Sequence, residues 1–140
     1  NKSSYLTIIG KGNLKNDLQS LVNKFDLHDR ISFIGHTINP YKWIAGADAL
    51  LLCSRWEGMP NVVLESLACS TDVIATTECG GVSEIMNNKH LAVVKPGIEF
   101  VKAMDNVIIK NKDTLGKNLL NSSFDISNVA PIINNWINDL

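Results

Sequence analysis

Ala49-Leu50-Leu51-Leu52-Cys53 is an unbroken apolar run that stops at Ser54. A short apolar run bounded by turn signals is the pattern of a strand buried on both faces, the kind found where helices cover both sides of a parallel sheet. Gly58 and Pro60 then mark a tight turn into a helix, and Pro60 suits its first position, where a missing N–H is no loss. The N–H groups of Asn61 and Val62 are expected to point out of an open helix end carrying a positive partial charge of roughly half a unit. Such an end holds anions, most commonly phosphate. Glu57 lies just before it and Glu65 one to two turns inside the helix, so two carboxylates flank the phosphate position. A carboxylate does not bind phosphate, but it accepts hydrogen bonds from sugar hydroxyls.

The rest of the chain reads as alternating strands and helices. Leu6 to Ile9 predicts a strand closed by Gly10-Lys11-Gly12, after which Leu14, Leu18, Leu21, Val22 and Phe25 recur at helical spacing. The glycines lack the third glycine and the acidic residue of a dinucleotide fingerprint, so they read as a tight turn above the sheet, with Lys11 a solvated cation. Ile31 to Ile34 predicts the next strand, and Pro40 opens a helix over Tyr41 to Ala47. Ligand crevices of parallel sheets lie beyond the carboxyl ends of the strands, which points Gly35 and His36 toward the same side as Glu57. Val73 to Thr76 is a further buried strand. Gly80-Gly81 after it permits positive φ and close backbone approach, and reads as a second cradle opposite the Glu57 loop. A short helix through Val82, Ile85 and Met86 is expected next, then a strand at Ala92 to Val94 and a helix from Phe100 to Ile109. Val129, Ile132, Ile133, Trp136 and Ile137 mark a last amphipathic helix starting near Ser127.

Composition narrows the function classes. A net charge of −1 gives no field to attract nucleic acid or anionic lipid, so affinity for an anionic ligand must come from local geometry. No apolar stretch approaches the ~20 residues that span a bilayer. Cys53, Cys69 and Cys79 are odd in number, without C-x-x-C spacing and in or beside apolar segments, and read as reduced core residues of a cytosolic protein. His28, His36 and His90 lack metal-ligand spacing, and no metal site is readable. The start Asn1-Lys2-Ser3-Ser4 is neither a signal peptide nor an initiator methionine, and the sequence is expected to be a piece of a longer chain.

Glu57 and Glu65 stand at E-x7-E spacing inside SRWEGMPNVVLESLA, followed by VIATTECGGVSEI. This order of strand, glycine and proline turn, helix and Gly-Gly-Val-Ser-Glu turn resembles the signature of retaining, nucleotide-sugar-dependent enzymes of the "glycosyl transferases group 1" family. The resemblance runs from about Tyr5 to Gly97. It implies the C-terminal half of a GT-B fold: an α/β, Rossmann-like, doubly wound parallel sheet with helices on both faces, over residues 1–125, followed by the amphipathic helix at 126–140. It further implies that Glu57 contacts donor-sugar hydroxyls near the reacting carbon as the catalytic residue, and that Glu65 accepts from the ribose. By the same resemblance the backbone of Gly58, Met59, Asn61 and Val62 holds sugar and phosphate; Gly80, Gly81, Gly35 and His36, placed by the loops that carry them, are expected to complete the substrate site. The donor is a nucleotide-diphosphate sugar; no metal or other cofactor is implied, and the acceptor is left open, a glycan or lipid-linked glycan being among the candidates. A cytoplasmic location is implied, with the N-terminal domain that precedes this half as a route to the membrane surface.

Two departures stand out. Where the family has A-x-G-x-P-V after the helix, this sequence reads Ala68-Cys69-Ser70-Thr71-Asp72-Val73, and Leu91 replaces a frequent glycine. The strand and loop that carry the family's Arg and Lys, cations for the leaving diphosphate, would precede Asn1. That strand belongs between Leu6–Ile9 and Ala49–Cys53 in the family's order 3-2-1-4-5-6, so a gap or a rearranged pairing is expected there, with poor stability of the isolated polypeptide. The competing reading is a nucleotide-sugar-binding module without catalysis. A phosphoacceptor receiver domain is disfavoured, because Asp48 lies at the wrong end of its strand.

Overall fold

In the computed structural model, which describes residues 4–85, 88–107, 119 and 131, every apolar run read as a strand forms one, and all strand pairs are parallel. The chain divides after Pro40 into two compact units. In the first, β1 (Leu6–Ile9) pairs with β2 (Ile31–Gly35), with α1 (Lys15–Lys24) between them in the chain. Gly10 turns the chain at φ 131° and donates its N–H to the carbonyl of Gly35 at 2.8 Å. The stripe on α1 is only partly used: Val22 is buried, whereas Leu14, Leu18, Leu21 and Phe25 are exposed. A pair of strands offers a face too narrow to cover it.

The second unit contains α2 (Tyr41–Gly46), β3 (Ala49–Leu52), α3 (Asn61–Ala68), β4 (Asp72–Thr76), a 3-10 turn (Gly80–Ile85), β5 (Leu91–Val94) and α4 (Ile98–Asp105). Its sheet runs β3-β4-β5. The four residues Val73 to Thr76 of the central strand β4 are all buried, as a strand covered on both faces requires. Val73 and Ala75 pack with Val63 and Leu67 of α3, one turn apart on the helix and 0% exposed. Ile74, which the pleat turns to the opposite face, is buried as well, and α4 packs along β4 and β5. Each unit thus has its own sheet, two-stranded β1-β2 in the first and three-stranded β3-β4-β5 in the second.

Both sequence departures are absorbed. Ser70 takes the left-handed conformation a glycine would, φ 62°. Its N–H bonds the carbonyl of Leu67 at 3.1 Å, and that of Thr71 bonds Ser66 at 2.9 Å, the paired bonds of a Schellman helix stop. Asp72 places its carboxylate 2.8 Å from Nδ1 of His90, tying the start of β4 to the loop before β5. The side chain of Leu91 is buried in the core.

Several boundaries differ from expectation. Pro60 stands one position outside α3 as its cap, at ψ 90°, because its extended backbone closes the preceding loop. The turn after β4 begins at Gly80 itself, and α4 begins at Ile98, two residues before Phe100. Of the cysteines, all free, Cys79 is buried, Cys69 half-buried and Cys53 exposed, since the sheet ends at Leu52. The helix expected at 126–140 lies outside the described residues.

Candidate donor site at the head of α3

The loop between β3 and α3 carries Glu57 and α3 itself carries Glu65, and α3 opens with neither a capping side chain at Pro60 nor an acidic residue in its first turn. Val63 donates back to the carbonyl of Pro60 at 2.9 Å. The N–H groups of Asn61 and Val62 have no acceptor among the described residues. These are the orphan donors that make a helix head suited to anions.

Glu57 is half-buried, and its Oε1 accepts a hydrogen bond from the Ser54 hydroxyl at 2.7 Å. Glu65 is also half-buried, and its carboxylate has no partner among the described residues. A half-buried acceptor left open in this way is suited to ligand hydroxyls. Trp56 beside Glu57 is 83% exposed.

Gly80 and Gly81 do not form an opposing wall. They lie directly against the Glu57 loop: Gly81 donates its N–H to the carbonyl of Gly58 at 2.7 Å, and a Cβ on Gly80 would stand 2.6 Å from the carbonyl oxygen of Glu57. Neither has positive φ. Their smallness serves backbone against backbone, and the Gly81 N–H is committed to Gly58 rather than open to a ligand. Gly35, at φ 75°, and the exposed His36 lie at the carboxyl end of β2 in the other unit.

The sequence reading gave Ser54 and Thr76 no part in the site and took Cys79 only as a reduced core residue. The carbonyl of Ser54 accepts from the Cys79 thiol at 3.1 Å and from the Thr76 hydroxyl at 3.4 Å. The signal for Ser54 was its place three residues before Glu57; nothing local marks the other two. Among the described residues, no group of His, Cys, Asp or Glu side chains is placed to hold a metal ion. No helix among them is long and apolar enough to cross a membrane.

A family model for "Glycosyl transferases group 1" matches residues 1–110. The chain belongs to this family. Among glycosyltransferases with curated names, it is similar to an uncharacterized glycosyltransferase of Methanocaldococcus jannaschii, at 40% identity over 81 residues, 58% of this chain and 20% of that protein. A second is N-acetylgalactosamine-N,N'-diacetylbacillosaminyl-diphospho-undecaprenol 4-alpha-N-acetylgalactosaminyltransferase of Campylobacter jejuni, 34% identical over 64% of this chain and 24% of that protein. Solved glycosyltransferase structures share the fold. The lipopolysaccharide outer core galactosyltransferase WaaB superimposes with a TM-score of 0.78 at 22% identity, over 97% of this chain and 41% of that one. HepE of Anabaena, solved in complex with UDP, gives 0.74 at 18% identity, over 98% of this chain and 41% of that one. The chain thus spans less than half the length of these glycosyltransferases.

Proposed function

We propose that this chain is the donor-binding part of a glycosyltransferase that takes a nucleotide-diphosphate sugar and transfers the sugar with retention of configuration. The observation that carries the reading is the open head of α3, with the N–H groups of Asn61 and Val62 unpartnered among the described residues, flanked in the chain by Glu57 and Glu65. The open helix end supplies hydrogen-bond donors and positive potential to the diphosphate, and these matter most as negative charge grows on the leaving phosphate. Glu65 accepts from the ribose hydroxyls. Glu57 accepts from donor-sugar hydroxyls near the reacting carbon, and the departing phosphate assists attack on the same face. Gly80 and Gly81 contribute by packing the Glu57 loop in place. The reaction needs no metal for the donor.

Uridine as the base is favoured by the UDP complex of HepE, and a lipid-linked glycan as acceptor by the name of the Campylobacter relative. The test is calorimetry of the intact protein with UDP, GDP and their common sugar conjugates, paired with an assay for nucleotide release. Binding with turnover supports transfer. Binding without turnover on any acceptor tried leaves a nucleotide-sugar-binding module, and absence of binding refutes the reading.

A further inference from the structure

The structure assigns Ser54 as the positioning residue of the Glu57 carboxylate, itself held in place by Cys79 and Thr76. This rests on the reading of Glu57 as the group that meets the donor sugar. The Ser54 hydroxyl donates to Oε1 of Glu57 at 2.7 Å, the short distance typical of a hydroxyl bonded to a carboxylate. Among the described residues Glu57 accepts no side-chain hydrogen bond other than this one, so the bond fixes one carboxylate oxygen and leaves Oε2 for a ligand. A glutamate side chain otherwise samples many rotamers, and a site whose acceptor is already oriented avoids losing that freedom on binding.

Ser54 is in turn placed from outside its own loop. The Cys79 thiol lies 3.1 Å from the carbonyl oxygen of Ser54 and 3.6 Å from that of Leu52, the last residue of β3, so it reaches the carbonyls on either side of Cys53. The Thr76 hydroxyl adds a longer contact to the same Ser54 carbonyl at 3.4 Å. Thr76 and Cys79 are joined by a backbone bond at 3.1 Å that closes the turn after β4, and both are buried. The route runs from the buried end of the central strand, through a thiol and a hydroxyl, to the Ser54 backbone and from its side chain to Glu57. Cys79 is therefore a structural thiol with a defined partner rather than generic core filling.

The inference is tested by a double-mutant cycle in the intact protein, reading UDP release from whichever of UDP-glucose, UDP-galactose, UDP-N-acetylglucosamine and UDP-N-acetylgalactosamine supports turnover. Ser54→Ala is expected to lower kcat roughly tenfold with donor KM changed by less than about twofold, and Ser54→Thr to recover most of the loss. Added to Glu57→Gln, Ser54→Ala should cost nothing further, because Ser54 acts through that carboxylate. If Ser54→Ala does not fold, Ser54→Cys, which keeps the volume and weakens the donor, takes its place in the cycle. Full additivity of the two substitutions, or a crystal structure of the Ser54 variant with Glu57 in an unchanged rotamer, overturns the inference. An unimpaired Glu57→Gln, or neither binding nor turnover with any UDP or GDP sugar, instead defeats the functional reading beneath it.

Discussion

Gly81 donates its backbone N–H to the carbonyl oxygen of Gly58 at 2.7 Å, and a side chain at Gly81 would collide with that same carbonyl. The Cβ would also stand 2.9 Å from the Cα of Met59, so nothing flexible is available to give way. The φ of Gly81 is one that any residue adopts, and space alone demands the glycine. Gly81→Ala is expected to destabilise the protein by about 3 kcal/mol, at the upper end for overpacking because backbone must shift. Denaturant unfolding checks the stability, and donor calorimetry under native conditions should show weakened binding as the Glu57 loop moves.

Glu65 and Glu57 are expected to fail differently. Removing the Glu65 carboxylate leaves ribose hydroxyls without an acceptor, and Glu65→Ala should weaken donor binding by about 1.5 to 3 kcal/mol. Glu57→Ala should lower turnover more than affinity, since its partner lies near the reacting centre. Calorimetry and steady-state kinetics on the two variants separate the roles, and unchanged behaviour in both would remove the assignment.

Ser66 on α3 is 0% exposed, and its hydroxyl has no hydrogen-bond partner among the described residues. A buried polar group without a partner opposes folding, and serine is also a weaker helix former than alanine. Ser66→Ala should therefore stabilise the protein by about 1 kcal/mol. A lower denaturation midpoint for this variant would contradict the assignment of an unpartnered hydroxyl.

At the other end of α3, Ser70 holds a left-handed backbone at φ 62° with its side chain buried. Comparing Ser70→Gly with Ser70→Ala cancels the lost hydroxyl and isolates the backbone term. The glycine variant should be the more stable of the two by about 1 to 2 kcal/mol. Equal unfolding free energies would mean that the helix stop relaxes to another conformation.

Cys53 belongs to an exposed residue position, yet partial withdrawal of its thiol from water, reinforced by the nearby Cys79 thiol, raises its pKa above the ordinary thiol value. The folded state thus holds the proton more tightly than the unfolded chain. Any stability from this group is present below the ordinary thiol pKa and is lost as pH rises through the folded value. Alkylation by iodoacetamide, followed by mass spectrometry, should show Cys53 reacting with a pH midpoint higher in the folded protein than in denaturant.

The strands, the order of helices and the carboxylate spacing were legible because each is written in local pattern. An apolar run such as Val73 to Ala75 has nowhere to go but a sheet covered on both sides, and Glu57 and Glu65 keep their separation whatever surrounds them. The open head of α3 was readable for the same reason, since a proline and the absence of acidic residues are properties of the segment itself. Only the tertiary structure decided that Gly81 spends its N–H on Gly58, that Pro60 caps α3 from outside, and that a thiol after β4 grips the residue that orients Glu57. Those outcomes depend on which atoms of sequence-distant segments come within hydrogen-bond reach. Periodicity assigns a residue to a face; it does not say what that face meets. The same limit applies to α1, whose apolar stripe predicted a helix correctly but not how little of it the narrow β1-β2 face would cover.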